Sequence, residues 1–237
     1  MFTEAVKAFD CRFMLGLSAT AYRRDGLTRL IYLTLGDRTH WVDPQRLREI
    51  GAVLTPKIIR RETVFQYDYA DDYPAMVSTL AENEDRNRQI VNDVIAQVQD
   101  QAGTALVVSD RVTHCEALAE LVRDAGQGAE VLTGKTPKEG RERIVNAIQA
   151  GKVPVLCSTI QLLGEGFDCS GLSSLFLTTP VRFRGRLLQI VGRILRPGTG
   201  KRPRVFDYVD VHVGLLQHQA QKRAQALEGV VYGAASI

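Results

Sequence analysis

The stretch ALVVSDRVTHCEALAELVRD, residues 105–124, decides the fold class of this 237-residue chain. Residues 105–109 form a short apolar run, which is typical of a strand that is buried on both faces. The residues after it carry apolar side chains at helical spacing: Ala117, Leu118, Leu121 and Val122. A buried strand followed directly by an amphipathic helix is the repeating unit of a parallel sheet.

The same alternation continues along the chain. It predicts further strands at 130–133, 153–158, 173–178 and 204–209, and helices at 82–101, 137–150 and 213–227. Thr136 and Pro137 suit the start of the helix at 137–150, as its N-cap and first-turn residue. The sequence therefore predicts an α/β fold in which a parallel sheet is flanked by helices on both faces.

The first 74 residues follow a different pattern. Residues 12–17, RFMLGL, have the composition of a buried strand, yet almost no chain precedes them. Because a lone strand needs sheet neighbours, we interpret residues 1–74 as the remnant of a first domain followed by a linker. The linker is the acidic segment 67–74, YDYADDYP, and residues 75–237 form the second domain.

The composition excludes several classes of protein. With 45% hydrophobic and 24% charged residues, the chain is an ordinary soluble globular protein. It has no apolar run of membrane-spanning length, and residues 1–10 mix charged with apolar side chains, unlike the uninterrupted apolar core of a signal peptide. Its four cysteines are scattered without a C-x-x-C pair, and its four histidines do not cluster. These spacings favour a reducing, cytoplasmic setting and predict no metal site within this chain.

The most informative motif is Q-x-x-G-R-x-x-R, formed by Gln189, Gly192, Arg193 and Arg196. On a helix over 187–197, the side chains of Arg186, Gln189, Arg193 and Arg196 fall within an arc of about 80°. The opposite side is apolar: Leu187, Leu188, Ile190, Val191, Ile194 and Leu195. Such a helix presents guanidinium groups to an anion, and phosphate is the usual target.

The surrounding segment is strongly basic. Between residues 169 and 206 there is no acidic residue and there are eight basic ones: Arg182, Arg184, Arg186, Arg193, Arg196, Lys201, Arg202 and Arg204. The whole chain carries +3, so removing these eight charges leaves −5 on the rest. Concentrated charge on a nearly neutral protein points to an anionic partner, although a solvated basic face alone would give the same spacing.

Loops at the carboxyl ends of parallel strands are where ligands gather. Thr159 and the glycine-rich GEGFD, residues 164–168, follow one predicted strand, and Ser18, Ala19 and Thr20 follow another. The sequence Gly134-Lys135-Thr136 resembles the end of a phosphate-binding loop. A true G-x-x-x-x-G-K-[ST] loop needs glycine at position 129, where the chain has Ala129.

Taken together, these motifs resemble the C-terminal half of a superfamily 2 (DEAD/DEAH-type) helicase. The resemblance is closest to the group that contains type III restriction Res subunits and XPB-like translocases. The similar segments are 15–26 (LGLSATAYRRDG), 105–118 (ALVVSDRVTHCEAL), 158–168 (STIQLLGEGFD) and 189–197 (QIVGRILRP). The resemblance implies a RecA-like second motor domain, preceded by a partial edge of the first RecA-like domain.

It also implies roles for individual residues. Arg193 and Arg196 would act as catalytic arginine fingers on the γ-phosphate of ATP, which is worth about 10³–10⁵ in rate. Nucleotide binding or sensing would fall to Gln189, Glu165, Gly166 and Asp168. Ser18, Ala19 and Thr20 would couple hydrolysis to domain movement. Nucleic-acid contacts would come from Thr159, Ser109, Arg111 and Gly134.

The same resemblance sets expectations for cofactors and partners. ATP and Mg²⁺ would serve the full-length protein, but the motifs that hold them are absent, so this chain alone should be inactive. The partners would be nucleic acid, DNA more than RNA, and the missing N-terminal RecA-like domain. Two alternatives stay open. One is a non-catalytic nucleic-acid-binding module that uses the basic segment 182–204, and the other is a small-molecule α/β enzyme that uses Glu165 and Asp168.

Overall fold

A computed structural model describes residues 4, 6, 8–17, 26–163, 169–181, 184–198 and 200–232. The chain divides into two compact units, Met1–Asp43 and Pro44–Ile237. None of the helices within these ranges is both long and apolar enough to cross a bilayer.

The second unit is built on six parallel strands: β1 (Lys57–Thr63), β2 (Thr104–Ser109), β3 (Ala129–Leu132), β4 (Val155–Thr159), β5 (Leu172–Leu177) and β6 (Arg204–Asp210). Their order across the sheet is β1-β6-β5-β2-β4-β3, and every neighbouring pair is parallel. Three of the four inner strands, β5, β2 and β4, are buried along their whole length. The predicted α/β fold is confirmed, because strands can be apolar throughout only where helices cover both faces.

The helices that the structure describes begin with α1 (Arg29–Leu35) in the first unit. Those of the second unit are α2 (Pro44–Glu49), α3 (Tyr73–Glu82), α4 (Glu84–Asp100), α5 (Val112–Asp124), α6 (Lys138–Gln149), α7 (Ile160–Leu163), α8 (Arg184–Ile194) and α9 (Gly214–Tyr232). Thr136 does not cap α6, whose N-cap is Pro137. Its hydroxyl instead accepts from the backbone N–H of Thr133 at 3.0 Å, so the threonine closes the preceding turn.

The core has two layers because successive strand side chains point to opposite faces. Leu106 and Val108 of β2 pack with apolar residues of α6, α8 and α9. Ala105 and Val107, the alternate positions, pack with residues of α4 and α5. The sheet therefore holds the arginine-bearing helix α8 on one face and the α4–α5 pair on the other.

The predicted boundary at residue 74 needs correction. Strand β1, which the sequence placed in the remnant of a first domain, pairs in parallel with β6 along seven residues, from Lys57–Arg204 to Thr63–Asp210. The observed division falls between Asp43 and Pro44. The sequence misled here because β1 is an edge strand whose outward positions are charged, which hides the apolar pattern of a sheet member.

The predicted strand at residues 12–17 is not observed. This segment has no strand hydrogen bonding in the structure, and Phe13, Leu15 and Leu17 are 82%, 80% and 86% exposed. Within the first unit, Gly16 lies against Leu35, since a Cβ at position 16 would be 2.9 Å from Leu35 Cδ1. The residues described here offer the segment no partner strand, and without one it cannot form sheet hydrogen bonds.

Candidate functional site

Polar residues line the carboxyl edge of the sheet in the second unit. The last residues of the strands, and those just after them, are buried hydroxyl or carboxylate side chains: Thr63, Asp210, Thr178, Ser109, Thr159 and Thr133. The parallel arrangement brings the predicted residues Ser109, Thr159 and Gly134 to this one edge, where α/β proteins bind ligands. Helix α8 follows β5 at the same edge.

Helix α8 has the amphipathic form that the sequence predicted. Its buried residues are Leu187, Ile190, Val191 and Ile194, while Gln189 and Gly192 are exposed and Arg193 is half-buried. A Cβ added at Gly192 would meet no other atom within 4 Å. No packing within the described residues explains a glycine there, so the open surface beside Arg193 can admit a close approach from outside.

The carboxyl end of α8 differs from the prediction. The helix ends at Ile194, and Arg196 lies in the turn that follows. The cause is Pro197, because the residue before a proline is disfavoured in helical conformation. The end of the helix is a tighter turn than an α-helical one, because the N–H of Leu195 donates to the carbonyl of Gly192, three residues earlier, at 3.3 Å. Arg193 and Arg196 are therefore positioned by different local structures, one by a helix and one by a turn.

Arg193 reaches the start of the glycine-rich loop. Its Nη2 donates to the carbonyl oxygen of Leu163 at 3.4 Å, and Leu163 ends α7 directly before the loop. The bond is long and therefore weak, so it orients the guanidinium without holding it tightly. The predicted residues Glu165, Gly166 and Asp168 lie outside the described residues, as do Ser18, Ala19, Thr20 and Arg182.

A buried chain of hydrogen bonds, called the relay below, fixes the loop after β2. The amide nitrogen of Asn87 donates to the Ala81 carbonyl at 2.8 Å, so its Oδ1 accepts from Nε2 of His114 at 2.9 Å. His114 Nδ1 is then the acceptor for the Ser109 hydroxyl at 3.1 Å, and Ser109 Oγ accepts from the Arg111 N–H at 3.1 Å. Ser109 is fully buried, so its side chain orders the loop from within the protein.

Arg111 is tied down in the same loop. Its Nη2 donates to the carbonyl of Pro74 at 2.8 Å, and its side chain is half-buried.

Burial, and after it the charge of Arg86, lowers the pKa of His114 to about 3. The histidine therefore stays neutral at physiological pH, which is the state that the relay requires.

We expect the neutral state of His114 to make the folded domain sensitive to acid. The unfolded state takes up a proton near pH 6.5, whereas the folded state does so only near pH 3. The free energy of unfolding should therefore fall by about 1.4 kcal/mol per pH unit on acidification between those two values. Urea denaturation of the wild type and of His114→Gln from pH 7 to pH 4 measures this slope.

The His114→Gln variant should show a smaller pH dependence, although its stability at pH 7 is lower because the relay is broken. His218→Gln is the matched control, since His218 is exposed on α9. Equal slopes for wild type and His114→Gln would contradict the assignment of a neutral His114.

The turn at Gly134-Lys135-Thr136 is not a phosphate cradle. Two of its N–H groups are used within the protein: the N–H of Thr136 donates to the Thr133 carbonyl at 3.0 Å, and the N–H of Lys135 donates to the Thr133 hydroxyl at 3.3 Å. A cradle needs a run of free N–H groups around the phosphates. Gly134 is nevertheless exposed, and a Cβ there would meet nothing within 4 Å.

A buried ion pair lies behind this edge and was not identified from the sequence. Arg86 of α4, 1% exposed, donates from Nε to Asp210 Oδ1 at 2.7 Å and from Nη1 to the Thr178 carbonyl at 2.7 Å. Thr63 adds a hydroxyl bond to Asp210 at 2.6 Å. The pair joins the ends of β1, β5 and β6 to α4. A usable signal was present, because Arg86 shares the apolar face of α4 with Ile90 and Val94 at i, i+4 and i+8.

A parallel sheet between helices, with polar strand ends and an arginine helix that contacts Leu163 at the end of α7, is typical of a RecA-like motor domain of the helicase C-terminal type. Residues 86–198 match the family described as the helicase conserved C-terminal domain. This match covers a little under half of the chain and confirms the resemblance to the C-terminal domain of superfamily 2 helicases.

Individual proteins agree with this assignment. A protein of Sulfolobus islandicus filamentous virus, provisionally named helicase 22, is 28% identical over 94% of this chain and 42% of its own length. The ATP-dependent DNA helicase uvsW of phage T4 is 24% identical over 85% of this chain and 41% of its own length. This chain therefore spans less than half the length of these relatives. A solved fragment of a type I restriction enzyme from Vibrio vulnificus, provisionally assigned as HsdR, superposes with a TM-score of 0.71 at 19% identity, over 93% of this chain and 43% of that one.

Proposed function

We propose that this chain is the second motor domain of an ATP-dependent helicase or translocase and that Arg193 and Arg196 are its arginine fingers. The observation that carries the proposal is the placement of Arg193, half-exposed on α8 and hydrogen-bonded to the residue that precedes the glycine-rich loop. A guanidinium in that position can reach a phosphate bound on a facing domain, where it stabilises the charge on the transferring phosphoryl group.

ATP and Mg²⁺ would be held mainly by another domain. The described residues contain no group of three or more His, Cys, Asp or Glu side chains that could hold a metal ion, and the Gly134 turn is occupied by internal bonds. The arginine face of α8 does fit the γ-phosphate end of a nucleotide. When bound, the nucleotide supplies the phosphoryl group. We assign Gln189, Glu165, Gly166 and Asp168 to sensing it.

The exposed apolar side chains at residues 12–17 support the assignment of the first unit to the first RecA-like domain. Three of them, Phe13, Leu15 and Leu17, are at least 80% exposed, and burying each would contribute about 1.5–3 kcal/mol. We propose that strands of a first RecA-like domain cover them, and that Ser18, Ala19 and Thr20 then couple hydrolysis to movement between the domains.

Nucleic acid would run along the carboxyl edge of the sheet. Arg111 and the open backbone at Gly134 are the exposed or half-exposed candidates, with Thr159 at the end of β4. Ser109 would act through the loop that it orders. We propose DNA rather than RNA as the track; the relatives carry names of both kinds, a DNA helicase in phage T4 and a provisionally named RNA helicase in Acanthamoeba polyphaga mimivirus.

The isolated chain tests this proposal directly. We expect negligible ATP turnover with or without nucleic acid, because the nucleotide cradle is not in this chain, and weak DNA binding because the track is shared between domains. The measurements are phosphate release and a DNA-binding titration from 50 to 300 mM salt, about the range over which phosphate contacts are lost. Robust ATP turnover by the isolated chain, stimulated by nucleic acid, would contradict the proposal that another domain holds the nucleotide.

The alternative is a non-catalytic nucleic-acid-binding module that uses the segment 182–204. It predicts tight binding by the isolated chain with a steep salt dependence, because each neutralised phosphate releases a counterion. One basic residue of the segment is already paired internally, since Arg204 Nη1 contacts Asp100 Oδ2 at 2.6 Å and Gln97 Oε1 at 2.9 Å. This pairing reduces the charge that is available to such a patch and favours the motor proposal.

A further inference from the structure

The turn that carries Arg196 is held from several sides. The carbonyl of Leu195 accepts from the backbone N–H of Leu54 at 2.8 Å, and the carbonyl of Gly198 accepts from the N–H of Lys201 at 3.2 Å. The Lys201 side chain returns to the same turn, where its Nζ donates to the carbonyl of Arg196 at 2.8 Å. The backbone of Arg196 is thus fixed by a side chain as well as by its neighbours.

The stem of Lys201 packs over Gly198. A Cβ at Gly198 would lie 3.4 Å from Lys201 Cδ and 3.6 Å from its Cβ. These separations are ordinary van der Waals contact, so the lysine stem lies directly against this position without requiring a glycine there. Through its stem and its ammonium, one side chain therefore contacts both Gly198 and the carbonyl of Arg196.

The surroundings of Lys201 disfavour the charged form of its side chain. Burial, followed by the positive charge of Arg196, lowers the pKa of Lys201 to about 8, while the Cys169 thiol acts in the opposite direction. Arg196 and Cys169 are the charged or titratable groups that act on Lys201 in the described part of the chain. Cys169, itself buried, is the first described residue after the glycine-rich loop.

We propose that Lys201 is a positioning residue that fixes the turn at Arg196, and with it the second arginine finger, from a half-buried site against the turn that follows the arginine helix. The inference rests on the proposed function of Arg193 and Arg196. The hydrogen bond to the Arg196 carbonyl compensates for the burial of the ammonium and its repulsion by a neighbouring cation. In addition, positively charged side chains interact favourably with the carbonyls at the end of a helix.

The experiment compares Lys201→Met and Lys201→Arg in the protein that contains both motor domains. Methionine keeps the stem but removes the donor, so we expect kcat for ATP to fall about 10- to 100-fold with KM changed little, as for a group misplaced in the transition state. Arginine keeps a charged donor and should recover most of the activity. Lys152→Met, at an exposed lysine in the turn after α6, is the matched control and should behave as wild type.

The pH profile separates positioning from packing. Wild-type turnover should decline as pH rises through about 8, because a neutral amine is a weaker donor, whereas Lys201→Arg should stay active there. Wild-type kcat in Lys201→Met, or equal loss in both variants with no difference in pH profile, would overturn the proposal.

Failure of the proposed function would be seen separately. It would appear as full turnover by Arg193→Ala and Arg196→Ala, and the Lys201 proposal would then fall with it. Loss of turnover in Arg196→Ala together with wild-type turnover in Lys201→Met would reject the positioning role alone. Thermal unfolding of each variant confirms that the fold is retained.

Discussion

Replacing Arg193 by alanine is expected to reduce ATP turnover about 10³-fold or more in the protein that contains both motor domains. The guanidinium would stabilise charge that develops only in the transition state, so kcat should fall while the KM for ATP changes little. The fold should survive, because Arg193 is half-buried and its described hydrogen bond, to Leu163, is long. Nucleic-acid-stimulated phosphate release measures the turnover, and thermal unfolding checks the fold.

Two variants sharpen this experiment. Arg193→Lys keeps the charge but loses the planar fork of donors, so we expect turnover between those of the wild type and the alanine variant. Arg202→Ala removes an exposed arginine from the same basic segment, outside α8, and should leave turnover within about threefold of wild type. Near-normal turnover by Arg193→Ala would remove Arg193 from the finger role.

Replacing Arg86 by alanine is expected to cost about 3–5 kcal/mol of the free energy of unfolding. The substitution leaves the Asp210 carboxylate, 3% exposed, without its ion-pair partner and removes the hydrogen bond to the Thr178 carbonyl. Domains of this size have a total stability of about 5–15 kcal/mol, so the loss is a large share of it. Urea denaturation of this chain measures the change.

The control for Arg86 lies one half-turn along α4. Arg88 is exposed and contacts Glu84 and Asp85 at 3.4 Å, so Arg88→Ala should cost less than about 1 kcal/mol. Combining Arg86→Met with Asp210→Asn should cost less than the sum of the single variants, because the double variant leaves no unpaired charge. Additive losses would show that the two side chains act independently.

Much of the sheet could be predicted from sequence because β2, β4 and β5 are short runs of mainly apolar residues with no charged side chain. That pattern has few explanations other than burial on both faces. The amphipathic character of α8 could be predicted for a similar reason, since its spacing separates polar from apolar residues. Its end could not be placed correctly, because Pro197 constrains the residue before it as well as stopping the helix.

The residues that the sequence missed depend on distant partners. Arg86 binds a carboxylate 124 positions away, and His114 is neutral because of burial and of Arg86 on another helix. A single arginine or histidine on a helix looks like a solvent-exposed residue until the tertiary structure supplies its partner. In the sequence Lys201 is only one of eight positive charges, because its bond to the Arg196 carbonyl depends on the path of the backbone after α8.

The edge position of β1 has a practical consequence for dissecting the protein. A truncated chain that starts after Pro74 would retain every motif of the helicase C-terminal domain but would lose β1. The backbone of β6 would then be a bare edge seven residues long, and an unpaired edge of that kind templates aggregation. The Asp210 carboxylate would also lose the Thr63 hydroxyl. The smallest soluble version of this domain should therefore begin near Pro44, some forty residues ahead of the first matched family position, Arg86.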